Sequence, residues 1–96
     1  MDRRVKIKFR LYVAGDAPNS AQARANLVEL CRTHLKGRHE IEIIDVFKEP
    51  KRALTDGIFM TPTLVRLAPL PALRIVGNLS HTQTVLETLG LGSPTA

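Results

Sequence analysis

The residues able to do chemistry are few and scattered. The chain has one cysteine, Cys31, so it holds no internal disulfide. A metal site could draw on Cys31, His34 and His39. Cys31, however, sits among Leu27, Leu30 and Leu35 in a helical pattern, where a thiol packs as a small hydrophobe. No fourth ligand is in sight, and no metal is expected. Ser20, Ser80 and the histidines show neither a nucleophile-elbow nor an H-E-x-x-H spacing. Gly15 stands alone and cannot cradle a phosphate. Glu40 and Glu42 alternate on one strand face, which reads as solvated charge and not as an acid–base pair. No catalytic residue and no cofactor emerge.

The elements that would position these residues can be read from periodicity. Val5 to Val13 alternates strictly, with Val5, Ile7, Phe9, Leu11 and Val13 on one face. Lys6, Lys8, Arg10 and Tyr12 form an opposite face that is basic but has long aliphatic stems. After the break at 14–18, Asn19 and Gln22 suggest a capping box, opening a helix to about Lys36. Ile41 to Phe47 reads as a strand buried on both faces, as a central or parallel strand is. Pro50 opens a short helix that Asp56-Gly57 ends. A strand follows in Met60 to Val65, pinned in register by Pro62, and another in Leu73 to Val76. Ser80 with Gln83 suggests a second capping box, and His81 falls exposed near that helix start; Val85, Leu86 and Leu89 give the last helix its apolar face. The expected organisation is one domain over 1–92 with a disordered tail at 93–96.

The order β-α-β-α-β-β-α is that of a thioredoxin-like α/β domain. In a redox thioredoxin an activated cysteine stands at the start of the first long helix, where the helix dipole lowers its pKa. Here that place holds Ala17-Pro18-Asn19-Ser20, with no sulfur. Thiol–disulfide exchange is therefore excluded at the usual position. A glutathione-class enzyme using Ser20 is the alternative, but it needs a second domain for its other substrate.

Composition narrows the partners. The chain has 96 residues, 44% hydrophobic and 24% charged, which is ordinary for a globular domain. A domain of this size buries only about two-thirds of its unfolded surface, so self-assembly is a plausible source of further stability. No apolar run approaches the roughly 20 residues of a membrane span, and no signal-peptide core precedes the first strand; a cytoplasmic location is expected. The net charge of +5 could attract nucleic acid, but aromatics are only 4%, too few for the stacking that single-strand binders need. An acidic protein surface is the favoured partner.

Several segments together resemble one family. Leu11-Tyr12-Val13-Ala14-Gly15, Pro18-Asn19-Ser20, Ile44-Asp45-Val46, Pro50, Thr61-Pro62-Thr63-Leu64 and Arg74-Ile75-Val76-Gly77-Asn78-Leu79-Ser80 are similar, in order and spacing, to the KaiB pattern. The likeness spans about residues 5 to 89, and sensor domains of SasA kinases share much of it. The resemblance implies a non-enzymatic clock-type adaptor that binds the hexameric ATPase KaiC. It further implies two folds, a thioredoxin-like monomer that binds KaiC and a rearranged ground state in a homotetramer. Carried over residue by residue, it gives Pro50, Lys51, Leu54, Asp56, Phe59, Arg66 and Arg74 as partner-binding positions. Thr61-Pro62 is the candidate cis peptide. A sensor histidine kinase and a second copy of the chain, as homodimer or homotetramer, are further implied partners. Two departures stand out. Glu40 and Glu42 replace a small residue and a lysine on the strand where KaiA would add, which argues against KaiA capture. Gly90-Leu91-Gly92-Ser93-Pro94 replaces the acidic tail of many relatives. Both point to a divergent homologue serving stress or metabolic adaptation.

Overall fold

Seven elements follow one another as β1 (Ile7–Val13), α1 (Pro18–His34), β2 (His39–Asp45), α2 (Pro50–Thr55), β3 (Thr63–Ala68), β4 (Leu73–Val76) and α3 (Thr82–Thr88). The computed structural model describes residues 6–91; Val5, the Ser93 tail and the outer ends of the expected 1–92 domain lie outside that range. The four strands form one sheet in the order β2-β1-β3-β4. β1 pairs parallel with β2 and antiparallel with β3, and β3 pairs antiparallel with β4. Parallel pairing of β1 and β2 requires a crossover, which α1 supplies.

The alternation in β1 does what the pattern asks. Ile7, Phe9, Leu11 and Val13 are buried in the larger core, against Leu27, Leu30, Cys31 and Leu35 of the α1 segment and Leu86 and Leu89 of the α3 segment. The opposite face departs from expectation. Tyr12 is fully buried there, in a smaller core with Ile44, Ala53, Ile58 and Val65. α2 and the segment after it cover this face, so it is a second interior and not merely a basic surface.

β2 is parallel, as expected, but it is an edge strand and not a central one. Only Ile44 is fully buried; Ile41 and Ile43 are half-buried, and Phe47, outside the strand, is exposed. The reason is topological. β3 and β4 both lie on the other side of β1, so among the described residues no strand lies beyond β2.

Neither expected capping box forms. Pro18 occupies the first turn of α1, which puts the cap at Ala17, and no side chain caps it. Asn19 instead accepts a 3.5 Å hydrogen bond from the Asn78 amide. The helix stops at His34, and Lys36 and Gly37 take left-handed conformations just past it. α3 is capped by His81, again without a side-chain bond, while the Ser80 N–H donates to Asn78 Oδ1 at 3.0 Å. The β4–α3 turn also holds buried Leu79 at φ +63°, a rare conformation for a residue with a side chain. Asn26 fastens that turn by donating to Asn78 O at 2.8 Å.

A candidate partner-binding face over α2

The face over α2 is built on a chain of charges. Arg10 and Glu42 are opposed across β1 and β2, and Arg10 Nε donates to Glu42 Oε1 at 2.8 Å. Arg52 of α2 reaches the other oxygen, Oε2, at 3.0 Å. Arg10 Nη1 also donates to Asp56 Oδ2 at 3.0 Å, and the Tyr12 hydroxyl donates to that same oxygen. Asp56 caps the C-terminus of α2. Strand pair and helix are thus stapled by two arginines and two carboxylates. The hydrogen bond from Tyr12, followed by that from Arg10, holds Asp56 below the usual carboxylate range. Arg52 first, then Arg10, does the same to Glu42. Burial first, then the bond to Asp56, pushes the Tyr12 phenol upward.

On this base stand exposed apolar side chains. Leu54 on α2 is 71% exposed and Phe59 87%. Gly57, at φ +67°, turns the chain out of α2 in a conformation that suits glycine. Arg74, from β4, donates through Nη1 to Gly57 O at 3.0 Å and through Nη2 to Asp56 O. Phe59, Met60, Val76 and Arg74 line one cavity of about 210 Å³.

Of the residues singled out in the sequence, Pro50, Lys51, Leu54, Asp56, Phe59 and Arg74 come to this face. Pro50 is the first residue of α2 and Lys51 is exposed. Arg66 does not join them. It faces α3, 7% exposed, with Nη1 donating to Leu89 O at 3.3 Å and Nη2 to Pro71 O at 2.6 Å. The structure makes this expected partner position a buried tie. The Thr61–Pro62 peptide is cis, as are Ala68–Pro69 and Leu70–Pro71, and Pro62 is buried. Sequence reasoning missed Arg10, Tyr12, Glu42 and Arg52. Their signal was the opposition of Arg10 to Glu42, visible only once the β1–β2 register is known.

The chemistry at the start of α1 is equally concrete. Ser20 is buried, and its Oγ accepts the Ala14 N–H at 3.0 Å, so it ties down the β1–α1 loop. Ser20, 2% exposed, is thus a structural residue of that loop. Cys31 is fully buried, and burial pushes its thiol up to about 12. His34, by contrast, lies exposed on α1.

A four-stranded mixed sheet in this order, with α1 and α3 on one face and α2 on the other, is the architecture of thioredoxin-like proteins. Chloroplastic thioredoxin z superimposes with a TM-score of 0.75 at 23% identity, covering 92% of this chain and 80% of that one. The N-terminal domain of Synechococcus elongatus SasA gives 0.72 at 16% identity, over 96% and 90%. These likenesses establish the fold. The family comes from sequence: the KaiB domain matches residues 10–91. Circadian clock protein KaiB3 of Synechocystis sp. is 43% identical over 90% of this chain and 82% of its own length. The circadian clock oscillator protein KaiB of Prochlorococcus marinus is 45% identical over 86% and 71%. The chain belongs to the KaiB family, with a clock-type role. Among the described residues, no helix is long and apolar enough to cross a membrane.

Proposed function

We propose that this chain is a non-enzymatic adaptor that docks on a KaiC-type hexameric ATPase through the face over α2. The observation that carries this reading is the placement of Leu54 and Phe59, two large exposed apolar side chains, between the charges of Lys51 and Arg74 on a stapled base. An apolar centre with a charged rim is the anatomy of a protein interface, and aromatic anchors commonly carry its energy. Family membership supplies the identity of the partner. The ATPase complex signals clock or stress state in the cytoplasm, and a SasA-like kinase, whose N-terminal domain shares this fold, is the second partner class. KaiA capture is not part of the reading. Glu42 is bound to Arg10 and Arg52, and Glu40 lies 3.8 Å from Lys8, so the β2 edge is acidic and internally paired.

The thioredoxin-like arrangement described above is, in this reading, the docking-competent fold, and a homotetramer holds the chain at rest in the rearranged one. If only a fraction of chains is competent, apparent affinity falls by that fraction. Size-exclusion chromatography with mass determination, alone and after hours with an ATP-loaded KaiC-type hexamer, tests both statements. The expected result is a tetramer alone and a complex after incubation. Phe59→Ala and Leu54→Ala each weaken the complex about tenfold or more, equivalent to about 1.4 kcal/mol. No complex after prolonged incubation overturns the adaptor reading; a monomer alone overturns the resting tetramer.

A further inference from the structure

β4 is the other edge of the sheet, and its backbone has groups to spare. Its sheet neighbour is β3, with Thr63 opposite Val76, Leu64 opposite Ile75 and Val65 opposite Arg74. The Gly77 N–H donates to Pro62 O at 3.0 Å, which marks that opposed pair as hydrogen-bonded. Opposed residues in an antiparallel ladder alternate between bonded and non-bonded pairs. Ile75 and Leu73 therefore spend their backbone groups on β3, while Arg74 and Val76 aim theirs at the open side. Proteins defend such edges with prolines, bulges and charges. The segment Leu73–Val76 has no proline and one charge. The opposite edge, β2, carries Glu40, Glu42 and Asp45.

The same two residues form one wall of the 210 Å³ cavity that Phe59 and Met60 also line. Val76 is 54% exposed and Met60 63%. Arg74 is the charged residue of that lining. Among the described residues no carboxylate pairs with it. Its guanidinium gives two donors to backbone carbonyls and keeps three of its five. The edge thus offers unspent backbone groups, an apolar hollow and an uncompensated positive charge side by side. A second copy of the chain is a poor occupant, because pairing two β4 edges crowds two Arg74 guanidiniums into one small groove.

We propose that the β4 edge is a docking rail for an extended acidic segment of a partner protein, which adds to the sheet as a fifth strand. Its backbone pairs with Arg74 and Val76. A carboxylate on it faces Arg74, and a large apolar side chain two residues away covers Val76, Met60 and Phe59. The spacing follows from the pleat, since alternate residues of a strand share a face. Main-chain bonds supply affinity in this mode, and the alternate side chains supply specificity. The inference does not rest on the ATPase reading, and its test contains no ATPase.

The probe is a threonine-rich ten-residue peptide with Glu and Leu two positions apart, titrated into the isotope-labelled full chain and followed by amide NMR. Shifts are expected at Arg74, Val76 and residues 57–60, with slowed exchange of the Arg74 and Val76 amides. Replacing the peptide's Glu by Lys weakens binding about tenfold. Arg74→Glu reverses that preference. Because Arg74 also holds the 56–57 turn, Val76→Glu is the second variant; its side chain is exposed, so the fold survives and binding is lost. Absence of shifts at low-millimolar peptide, shifts on β2 instead, or indifference to the Glu-to-Lys change overturns the proposal.

Discussion

Asp56 Oδ2 receives both the Tyr12 hydroxyl and, at 3.0 Å, Arg10 Nη1. The phenol is buried and the carboxylate side chain is 32% exposed, so Tyr12→Phe leaves Asp56 with Arg10 and water. We expect a loss of about 1 kcal/mol in urea unfolding, below the usual worth of a bond to a charged group because water screens one side. Acid weakens the same staple. Asp56 and Glu42 both titrate below their ordinary values in the folded chain. Such groups contribute stability above their unfolded pKa, and lose it as pH falls through the folded value. The urea midpoint should therefore fall on acidification from about pH 4 downward. Asp56→Asn should flatten part of that fall; an unchanged acid slope in the variant counts against the staple. At the other side of the sheet, Cys31 should react with a thiol reagent in denaturant but scarcely in the native chain, since burial holds its thiol up at about 12.

At the scale of elements, α3 is tied to the sheet by Arg66, whose guanidinium meets the carbonyls of Leu89, at the end of that helix, and Pro71. A cation at a helix C-terminus also complements the dipole. Arg66→Leu strands both carbonyls, so it should cost about 2 kcal/mol and speed amide exchange at Leu86 and Leu89 ahead of β1. Equal acceleration across the sheet would remove the idea of a local tie. Arg66 also shows where sequence reading stops. The order of elements, the span of β4 and the short α2 are all legible, because alternation, Pro50 and Asp56-Gly57 are local signals. What a strand's second face touches is not local. Tyr12 and Arg66 look like outward residues in a period of two, and only the docking of α2 and α3 makes them interior. Pro18 likewise overrides the Asn19 cap, since a proline in the first turn moves the helix boundary upstream.

For the molecule as a whole, the sheet divides two unequal interiors. The larger core joins β1, α1, Leu64 and α3, while Tyr12, Ile44, Ala53, Ile58 and Val65 make up the smaller one under α2. Core size sets how much each side resists opening, because a region that buries little apolar surface opens at a low free-energy cost. The proposed partner face therefore stands on the less cohesive half. The Arg10–Glu42–Arg52–Asp56 charges add to what burial contributes there. This asymmetry is testable with two truncations. Leu27→Ala, in the larger core, should cost about 3 kcal/mol and raise exchange throughout the sheet and α1. Ile58→Ala, 8% exposed at the margin of the smaller core, should cost about 2 kcal/mol. Its exchange should rise in 50–60 while the β1 and α1 amides keep their protection. A uniform rise in both variants would mean that the two cores open as one cooperative unit, and that the face over α2 has no independent mobility to bring to a partner.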